Sequence, residues 1–260
     1  MDMQLKDRRV LITGASQGIG DGLARAFAEE GCSVSLVARS AEKLNALANE
    51  LRAEFGVTID VLPIDLTQSG ALAEVVDFAG SIDILVNNAG AIPGGTLWEV
   101  DEEAWRSGWE LKVFGYINLT RTVYAGMKQR GSGVILNNIG NGGQNFDFNY
   151  IAGTTGNAAL MAFTCALGGR SLDDGIRVVG VNAGPVATER ITKVLKSHAA
   201  RSLGDENRSG ELLSTYPLGR AATVKEVADL FVYLASSRSS YTSGTIVTVD
   251  GGITSKRSIA

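Results

Sequence analysis

The chain has 260 residues, of which 45% are hydrophobic and 20% are charged, and its formal net charge is -4. These values suit one compact α/β domain over residues 1–260 with a large buried core. The absence of a basic run argues against nucleic acid as a partner, and no apolar stretch reaches the roughly 20 residues of a membrane span. We therefore expect a cytoplasmic protein that acts on a small molecule.

Short runs rich in β-branched residues alternate with helical patterns along the chain. The runs are almost continuously apolar, which is typical of strands buried on both faces of a parallel sheet. Strands are predicted at Val10–Thr13, Ser33–Ala38, Thr58–Leu62, Ile82–Val86, Gly133–Asn137, Arg177–Asn182 and Thr245–Asp250. Helices are predicted to begin near Gly20, Ala41, Gly70, Asp101, Ala158 and Thr223. This alternation predicts a single-domain, doubly wound α/β (Rossmann) fold with a seven-stranded parallel sheet flanked by helices.

One segment, 188–220, departs from the alternation. It is polar and contains Gly204, Asn207 and Gly210, so we predict irregular helix and loop here. Long irregular segments in such domains are often functional and include lids over ligand sites. We therefore predict a substrate lid at 188–220.

A glycine-rich loop follows the first strand. Gly14, Gly18 and Gly20 lie between the apolar run Val10–Ile12 and an alanine-rich helix. Glycines permit a tight turn and let backbone N–H groups approach a pyrophosphate, while the positive N-terminus of the next helix attracts the anion. The loop therefore predicts a dinucleotide site.

Further motifs accompany this loop. Asn87–Gly90 closes the fourth strand, Gly184–Thr188 follows the sixth, and Val249–Gly252 follows the last. Taken together, the motifs resemble the short-chain dehydrogenase/reductase family over the whole chain. The resemblance implies a nicotinamide dinucleotide, with Asp65 beside the adenine and Thr188 beside the nicotinamide amide. The expected cofactor-binding residues are Gly14, Ser16, Gln17, Gly18, Ile19, Gly20, Arg39, Ser40, Asp65, Leu66, Asn87, Ala89, Gly90, Gly184, Pro185, Val186 and Thr188.

The residues after the second strand favour NADP(H) over NAD(H). Ala38 lacks the carboxylate that would bind the ribose hydroxyls and repel a 2′-phosphate, and Arg39 offers a guanidinium to that phosphate. In an alternative interpretation, Arg39 caps a solvated turn or stacks on adenine whatever the phosphate. Gln17 weakens the NADP(H) prediction, because some NADP-preferring relatives carry a second basic residue in this loop.

The resemblance also implies a homo-oligomer, either a dimer or a tetramer, built partly on the helix predicted from Asp101. Trp98, Trp105 and Trp109 are spaced about one to two helical turns apart. We expect them to pack this helix or to line a subunit interface.

The family's usual catalytic positions hold other residues in this chain. Ala158–Thr164 aligns with the segment that follows the family's lysine, which places Asn157 at the lysine and Gly153 at the tyrosine. The serine position then holds Gly140, and the asparagine position holds Lys112. The family's catalytic residues therefore cannot be transferred to this chain.

Two features favour an active site of different composition. Lysine and asparagine have exchanged positions, and Tyr150 lies seven residues before Asn157, which resembles the Tyr-(x)6-Lys spacing of enoyl reductases. A tyrosine of ordinary pKa, about 10, needs a nearby cation to stabilise its phenolate. We predict hydride transfer to or from a carbonyl or alcohol carbon, with Tyr150 as proton donor or acceptor and Lys112 as its electrostatic partner. Asn157 and Asn138 would hydrogen-bond ribose, water or substrate.

Other interpretations of these residues stay open. Tyr150 also fits a pocket-wall aromatic, Lys112 a lysine that reaches water, and Asn157 a helix cap. Gly140 and Gly153 also fit a dinucleotide-binding protein without catalysis, such as a sensor or an assembly subunit. A non-redox lyase or isomerase could use the same pocket.

The remaining reactive residues predict no metal site. Cys32 and Cys165 lack metal-ligand spacing, and His198 is the single histidine. We expect both cysteines to be small buried side chains without a disulfide, and His198 to have no functional role.

Overall fold

The computed structural model describes residues 2–256, so Met1 and residues 257–260 of the predicted domain lie outside it. One parallel sheet of seven strands crosses the molecule in the order β3-β2-β1-β4-β5-β6-β7. The strands are Arg9–Thr13 (β1), Ser33–Ala38 (β2), Ile59–Pro63 (β3), Ile84–Asn87 (β4), Gly133–Asn138 (β5), Ile176–Ala183 (β6) and Thr245–Val249 (β7). The sheet confirms the predicted fold.

Helices cover both faces of this sheet. They are Ile19–Glu29 (α1), Ala41–Phe55 (α2), Ala71–Ala79 (α3), Glu102–Trp109 (α4), Gly115–Arg130 (α5), Ile151–Gly168 (α6), Glu189–Leu203 (α7) and Val224–Ala235 (α8). Side chains alternate along β1, so that Val10 and Ile12 pack in the layer of α1, α2 and α8. Leu11 packs in the opposite layer, with α3 and α5. Successive side chains of a strand point to opposite faces of the sheet, and both faces are covered by helices. The strands are therefore continuous apolar runs in the sequence.

A π-helical turn, Glu110–Phe114, joins α4 to α5 and contains Lys112. Such turns are rare and are frequent at functional sites. The turn places Lys112 on the inner side of this long helical segment.

The prediction that a helix begins near Ala158 is wrong. α6 begins seven residues earlier, directly after Tyr150, and Asn157 lies inside it. The interpretation of Asn157 as a helix cap is therefore also wrong. The first residues of α6 are weak helix formers, so their sequence did not predict a helix; tertiary packing overrides this low propensity. At Gly156 the packing is close, because a Cβ atom there would lie 3.0 Å from Ile92 Cδ1 and 3.1 Å from Trp109 Nε1.

The prediction of irregular structure at 188–220 is wrong for the first half of the segment. α7 is a regular helix of 15 residues, and the Thr188 side chain caps it by accepting a hydrogen bond from Ile191 N. Its buried face is narrow, with Leu195 and Ala199 one turn apart, so the polar remainder of the helix concealed its period. The second half contains a ten-residue 3-10 helix, Glu206–Thr215, and a short 3-10 turn, Pro217–Gly219.

The two cysteines differ in their surroundings. Cys32 is buried, whereas Cys165 is exposed, which makes the expectation of a buried Cys165 wrong. Across residues 2–256, the structure contains no helix with the length and apolar character required to span a lipid bilayer.

Candidate active site

The loops after β1 and β4 lie side by side, because these two strands are neighbours at the centre of the sheet. In an open parallel sheet, the carboxyl ends of such strands form the ligand crevice. Asn88 joins the two loops: its Nδ2 donates to Thr13 O at 2.9 Å and to Gly14 O at 3.2 Å. The backbone N–H of Ala89 donates to Thr13 Oγ1 at 3.1 Å. The glycine loop is thereby held in a fixed conformation.

The glycines of this loop meet a steric requirement. Gly18 has φ of +60°, which favours glycine. A Cβ atom at Gly20 would lie 2.1 Å from Gly14 O, so α1 packs against the loop only without a side chain there. Thr188 faces the loop, with its Cγ2 3.3 Å from the Cβ position of Gly18. The start of α7 thus lies beside the glycine loop.

Two basic residues, Arg39 and Lys43, lie just after β2 at the carboxyl edge of the sheet. Arg39 follows β2, and its charge contributes to lowering the pKa of Asp65, although the main cause is the hydrogen bonding from Thr67. Lys43 Nζ donates to Gln17 Oε1 at 3.0 Å, and Lys43 N donates to the capping Ser40 Oγ at 3.4 Å. Lys43 was not predicted as a site residue, although a cation in the first turn of the helix after Arg39 was a visible signal.

Other predicted cofactor contacts lie at the same edge of the sheet, in or beside the loops after β1, β3, β4 and β6: Ser16, Ile19, Leu66, Ala89, Gly90, Gly184, Pro185 and Val186. Asn87 differs from them. Its side chain is buried, and its Nδ2 donates to Thr120 Oγ1 at 3.0 Å and to Asn137 Oδ1 at 2.9 Å. The Asn87 amide thus joins β4 to α5 and β5.

The Tyr150 ring lies directly over Gly153. A Cβ atom built on Gly153 would lie 1.9 Å from Tyr150 Cζ and 2.2 Å from its Cε1. The phenol thus occupies the volume that a side chain at position 153 would need. Backbone hydrogen bonds fix its position on both sides, since Gly95 N donates to Asn149 O at 2.7 Å and Thr154 N donates to Tyr150 O at 2.8 Å.

Lys112 points into the protein. Its Nζ donates to Ile139 O at 2.5 Å, and a Cβ atom at Gly90 would lie 2.8 Å from its Cδ. Burial, and to a smaller extent the positive charge of Arg190, lower the pKa of Lys112 to about 7. Lys112 is therefore partly buried, with its ammonium group hydrogen-bonded to the backbone of the protein.

Arg190, in the first turn of α7, is the cation that contacts Tyr150. Its Nη2 donates to Tyr150 Oη at 3.2 Å and to Ile92 O at 3.3 Å. Within residues 2–256, no hydrogen bond joins Lys112 to Tyr150. Arg190 was not predicted as a site residue because it lies in the segment predicted to be irregular. Its position two residues after Thr188 was the available signal.

Asn157 is a buried amide with unused hydrogen-bonding capacity. It is 3% exposed, and its Oδ1 has no partner among the described residues. Its Nδ2 lies 3.4 Å from the Cβ position of Gly140 and 3.2 Å from that of Gly142. An unpaired buried amide costs about 1–3 kcal/mol, which a polar ligand or water at this point would offset. Asn138, in contrast, donates to Asn88 Oδ1 at 2.7 Å.

Two tryptophans beside the site have different surroundings. Trp109 Nε1 donates to Ala152 O at 3.0 Å and so attaches α4 to α6. Trp98 is 80% exposed, and its ring centroid lies 6.3 Å from that of Phe148. Trp109 packs within the protein, whereas Trp98 leaves an aromatic face towards solvent.

Known proteins resemble this chain along nearly its whole length. Residues 14–254 match the family model described as enoyl-(acyl carrier protein) reductase. The 3-oxoacyl-(acyl-carrier-protein) reductase of Chlamydia muridarum is 31% identical over 260 residues, which cover 97% of this chain and 100% of that protein. The structure of L-sorbose reductase from Gluconobacter frateurii with NADPH and L-sorbose is 34% identical, covers 99% of this chain and 100% of that chain, and superposes with a TM-score of 0.91. The structure of a 3-oxoacyl-(acyl-carrier protein) reductase from Brucella melitensis with NAD is 28% identical, covers 96% and 92%, and has a TM-score of 0.83.

Proposed function

Because this chain belongs to the short-chain dehydrogenase/reductase family and is an NAD(P)-dependent oxidoreductase, we propose that it transfers hydride between NADP(H) and the carbonyl or alcohol carbon of a small molecule. We further propose that its active site has a non-standard composition. The observation that carries this proposal is the Tyr150 phenol, which fills the space above Gly153. A phenol is thus present in the pocket, supplied from a different backbone position.

The choice of NADP(H) is supported by the charges at the adenosine end. Ala38 has no carboxylate that would bind the ribose hydroxyls. Arg39 follows it directly, and Lys43 hydrogen-bonds Gln17 of the glycine loop. Guanidinium and ammonium groups favour a 2′-phosphate. L-Sorbose reductase was solved with NADPH and the Brucella reductase with NAD, so the family likeness alone leaves this choice to the local residues.

The residues suit the proton transfer that accompanies carbonyl reduction. When bound, the dinucleotide supplies the hydride to the carbonyl carbon. Tyr150 donates its hydroxyl proton to the carbonyl oxygen, and the negative charge left on the phenol is stabilised by Arg190 at 3.2 Å. Lys112 adds positive charge while it is protonated. Asn157 holds a polar atom of the ligand, or a water, beside Gly140 and Gly142.

A substitution at Tyr150 tests the proposal. NADPH oxidation is followed over a panel of ketones, aldehydes and enones with the wild type and with Tyr150→Phe, and we expect kcat to fall about 100-fold for responsive substrates. Tyr241→Phe is the matched control, because Tyr241 is 98% exposed. Unchanged turnover in Tyr150→Phe would refute the proton-transfer role. Binding of NADPH without oxidation of any substrate would instead support the alternative of a dinucleotide-binding protein without catalysis.

The wider organisation is part of the same proposal. We propose one domain over 1–260, with 188–220 as its lid, in a cytoplasmic homo-oligomer that is a dimer or a tetramer. The contact of Arg190 with Ile92 supports the lid, because it joins α7 to the loop after β4. The exposed Trp98 face supports an interface.

A further inference from the structure

Two positive side chains meet at the candidate active site without a carboxylate beside them. Arg190 donates to a phenol and a carbonyl, and Lys112 donates to a carbonyl, so all the acceptors are neutral. Neither residue takes part in an ion pair within residues 2–256. The charge that acts on Lys112 is that of Arg190, another cation. An anion bound here would therefore meet positive charge that no carboxylate of the described residues neutralises.

The guanidinium has donors left for such an anion. Both recorded hydrogen bonds of Arg190 use Nη2, so Nε and Nη1 have no partner among the described residues. The residue is exposed at the start of α7. Its bonds go to Tyr150 and Ile92 rather than to the glycine loop, which favours an anion on the substrate over the pyrophosphate of the cofactor.

We propose that the substrate carries a carboxylate on the carbon next to the reacting carbonyl, as a 2-oxo acid or the corresponding 2-hydroxy acid does, and that Arg190 binds this carboxylate. The inference rests on the proposed function, because it uses Tyr150 to locate the carbonyl. An oxygen that accepts from Tyr150 Oη lies about 2.7 Å from it, and Arg190 Nη2 lies 3.2 Å from the same Oη. A carboxylate one bond from the carbonyl carbon then reaches the guanidinium fork.

Binding of a matched pair of inert probes tests the inference apart from turnover. Oxamate is a charged isostere of a 2-oxo acid, and oxamide is its neutral counterpart. Calorimetric titration of the NADP+-loaded protein is expected to give at least about tenfold tighter binding of oxamate, the effect of one charge-assisted contact. Arg190→Gln should abolish that preference and leave the affinity for NADP+ unchanged. Lys196→Gln, an exposed cation of the same helix, is the control and should keep the preference.

The outcomes separate the two proposals. Equal affinity for oxamate and oxamide overturns the inference, even when neutral ketones are reduced and the proposed function stands. If Arg190→Gln weakens NADP+ binding as much as it weakens oxamate binding, the inference is also overturned, because Arg190 would then be a cofactor contact. Preference for oxamate without reduction of any carbonyl compound supports the anion site and counts against hydride transfer.

Discussion

The Tyr150 phenol reaches its pocket because position 153 has no side chain. Any Cβ atom there would overlap the Tyr150 ring, so the glycine and the tyrosine depend on each other. A glycine at the family's tyrosine position taken alone indicates a lost function. Beside Tyr150 it supports the proposal that the same group is supplied from one helical turn earlier. At the scale of single residues, therefore, a missing side chain has to be judged together with what fills its volume.

Gly153→Ala tests this dependence directly. The new methyl group would lie 1.9 Å from Tyr150 Cζ, so the ring has to leave its position, and we expect kcat to fall at least about tenfold. Stability should change by no more than about 1 kcal/mol, because alanine is the better helix former and the half-buried ring can move towards solvent. Steady-state kinetics and urea unfolding measure the two effects. Gly126→Ala in α5, where the nearest contact is a flexible arginine, should retain full activity; if Gly153→Ala does too, the phenol is not required.

Lys112 gives the protein a stability that depends on pH. Its pKa is lowered to about 7 in the folded protein, against about 10.4 when unfolded. Between these values the unfolded chain binds more protons, so stability rises with pH in this window, and the full penalty is present below about pH 7. Lys112→Met should therefore stabilise the protein by about 1 kcal/mol more at about pH 6.5 than at about pH 9.5, a figure reduced for solvent screening.

Urea unfolding at the two pH values measures this difference. Lys196→Met, which removes an exposed lysine, is the control and should show the same change at both. A stabilisation by Lys112→Met that is equal at the two pH values, or larger at the higher one, would show that Lys112 carries its charge without penalty in the folded protein.

At the scale of elements, the strands and helices with a strong local sequence pattern were predicted correctly, and those with a weak pattern were not. The ends of the strands were predicted to within two residues. A strand whose two faces are both buried is a short, almost continuously apolar run, which is a strong local pattern. The capping box of Thr223 and Glu226 marked the start of α8. The starts of α6 and α7 were missed, since α6 begins with glycines and threonines stabilised by tertiary contacts, and α7 buries only a narrow face. Arg190 was lost with α7.

Arg177 joins β6 to the C-terminal end of α8 by side-chain hydrogen bonds. This buried residue of β6 donates to the last carbonyls of α8, with Nη1 2.6 Å from Leu234 O and Nη2 2.9 Å from Ala235 O. The positive charge also complements the helix dipole. Arg177→Met should cost about 2–4 kcal/mol in urea unfolding, because buried carbonyls lose their donors. Arg170→Met removes an exposed ion pair with Asp173 and should cost less than about 0.5 kcal/mol; similar costs for the two variants would contradict the capping role.

At the scale of the whole molecule, the fold and the cofactor cradle follow from the sequence more completely than the chemistry does. The glycine loop, Asn88 and Thr188 are local signals whose geometry is set by the sheet that carries them. The candidate active site draws on the π-helical turn before α5, on α6 with the residue before it, and on α7. The contact between Arg190 and Tyr150 joins residues 40 positions apart. No local pattern encodes such a contact, so a structure was needed to find it.

The preference for one dinucleotide over the other can be measured from the thermal stability of the whole protein, because a ligand that binds only the folded state stabilises that state. At about 100 times its Kd, a dinucleotide adds about 2.7 kcal/mol, or a Tm rise of roughly 5–10 °C for a domain of this size. We expect NADPH to give the larger Tm shift and NADH at the same concentration the smaller one. Arg39→Met should bring the NADPH shift closer to that of NADH and leave the NADH shift unchanged, since the guanidinium acts on the 2′-phosphate. Equal losses with both dinucleotides would instead mean that Arg39 stacks on the adenine.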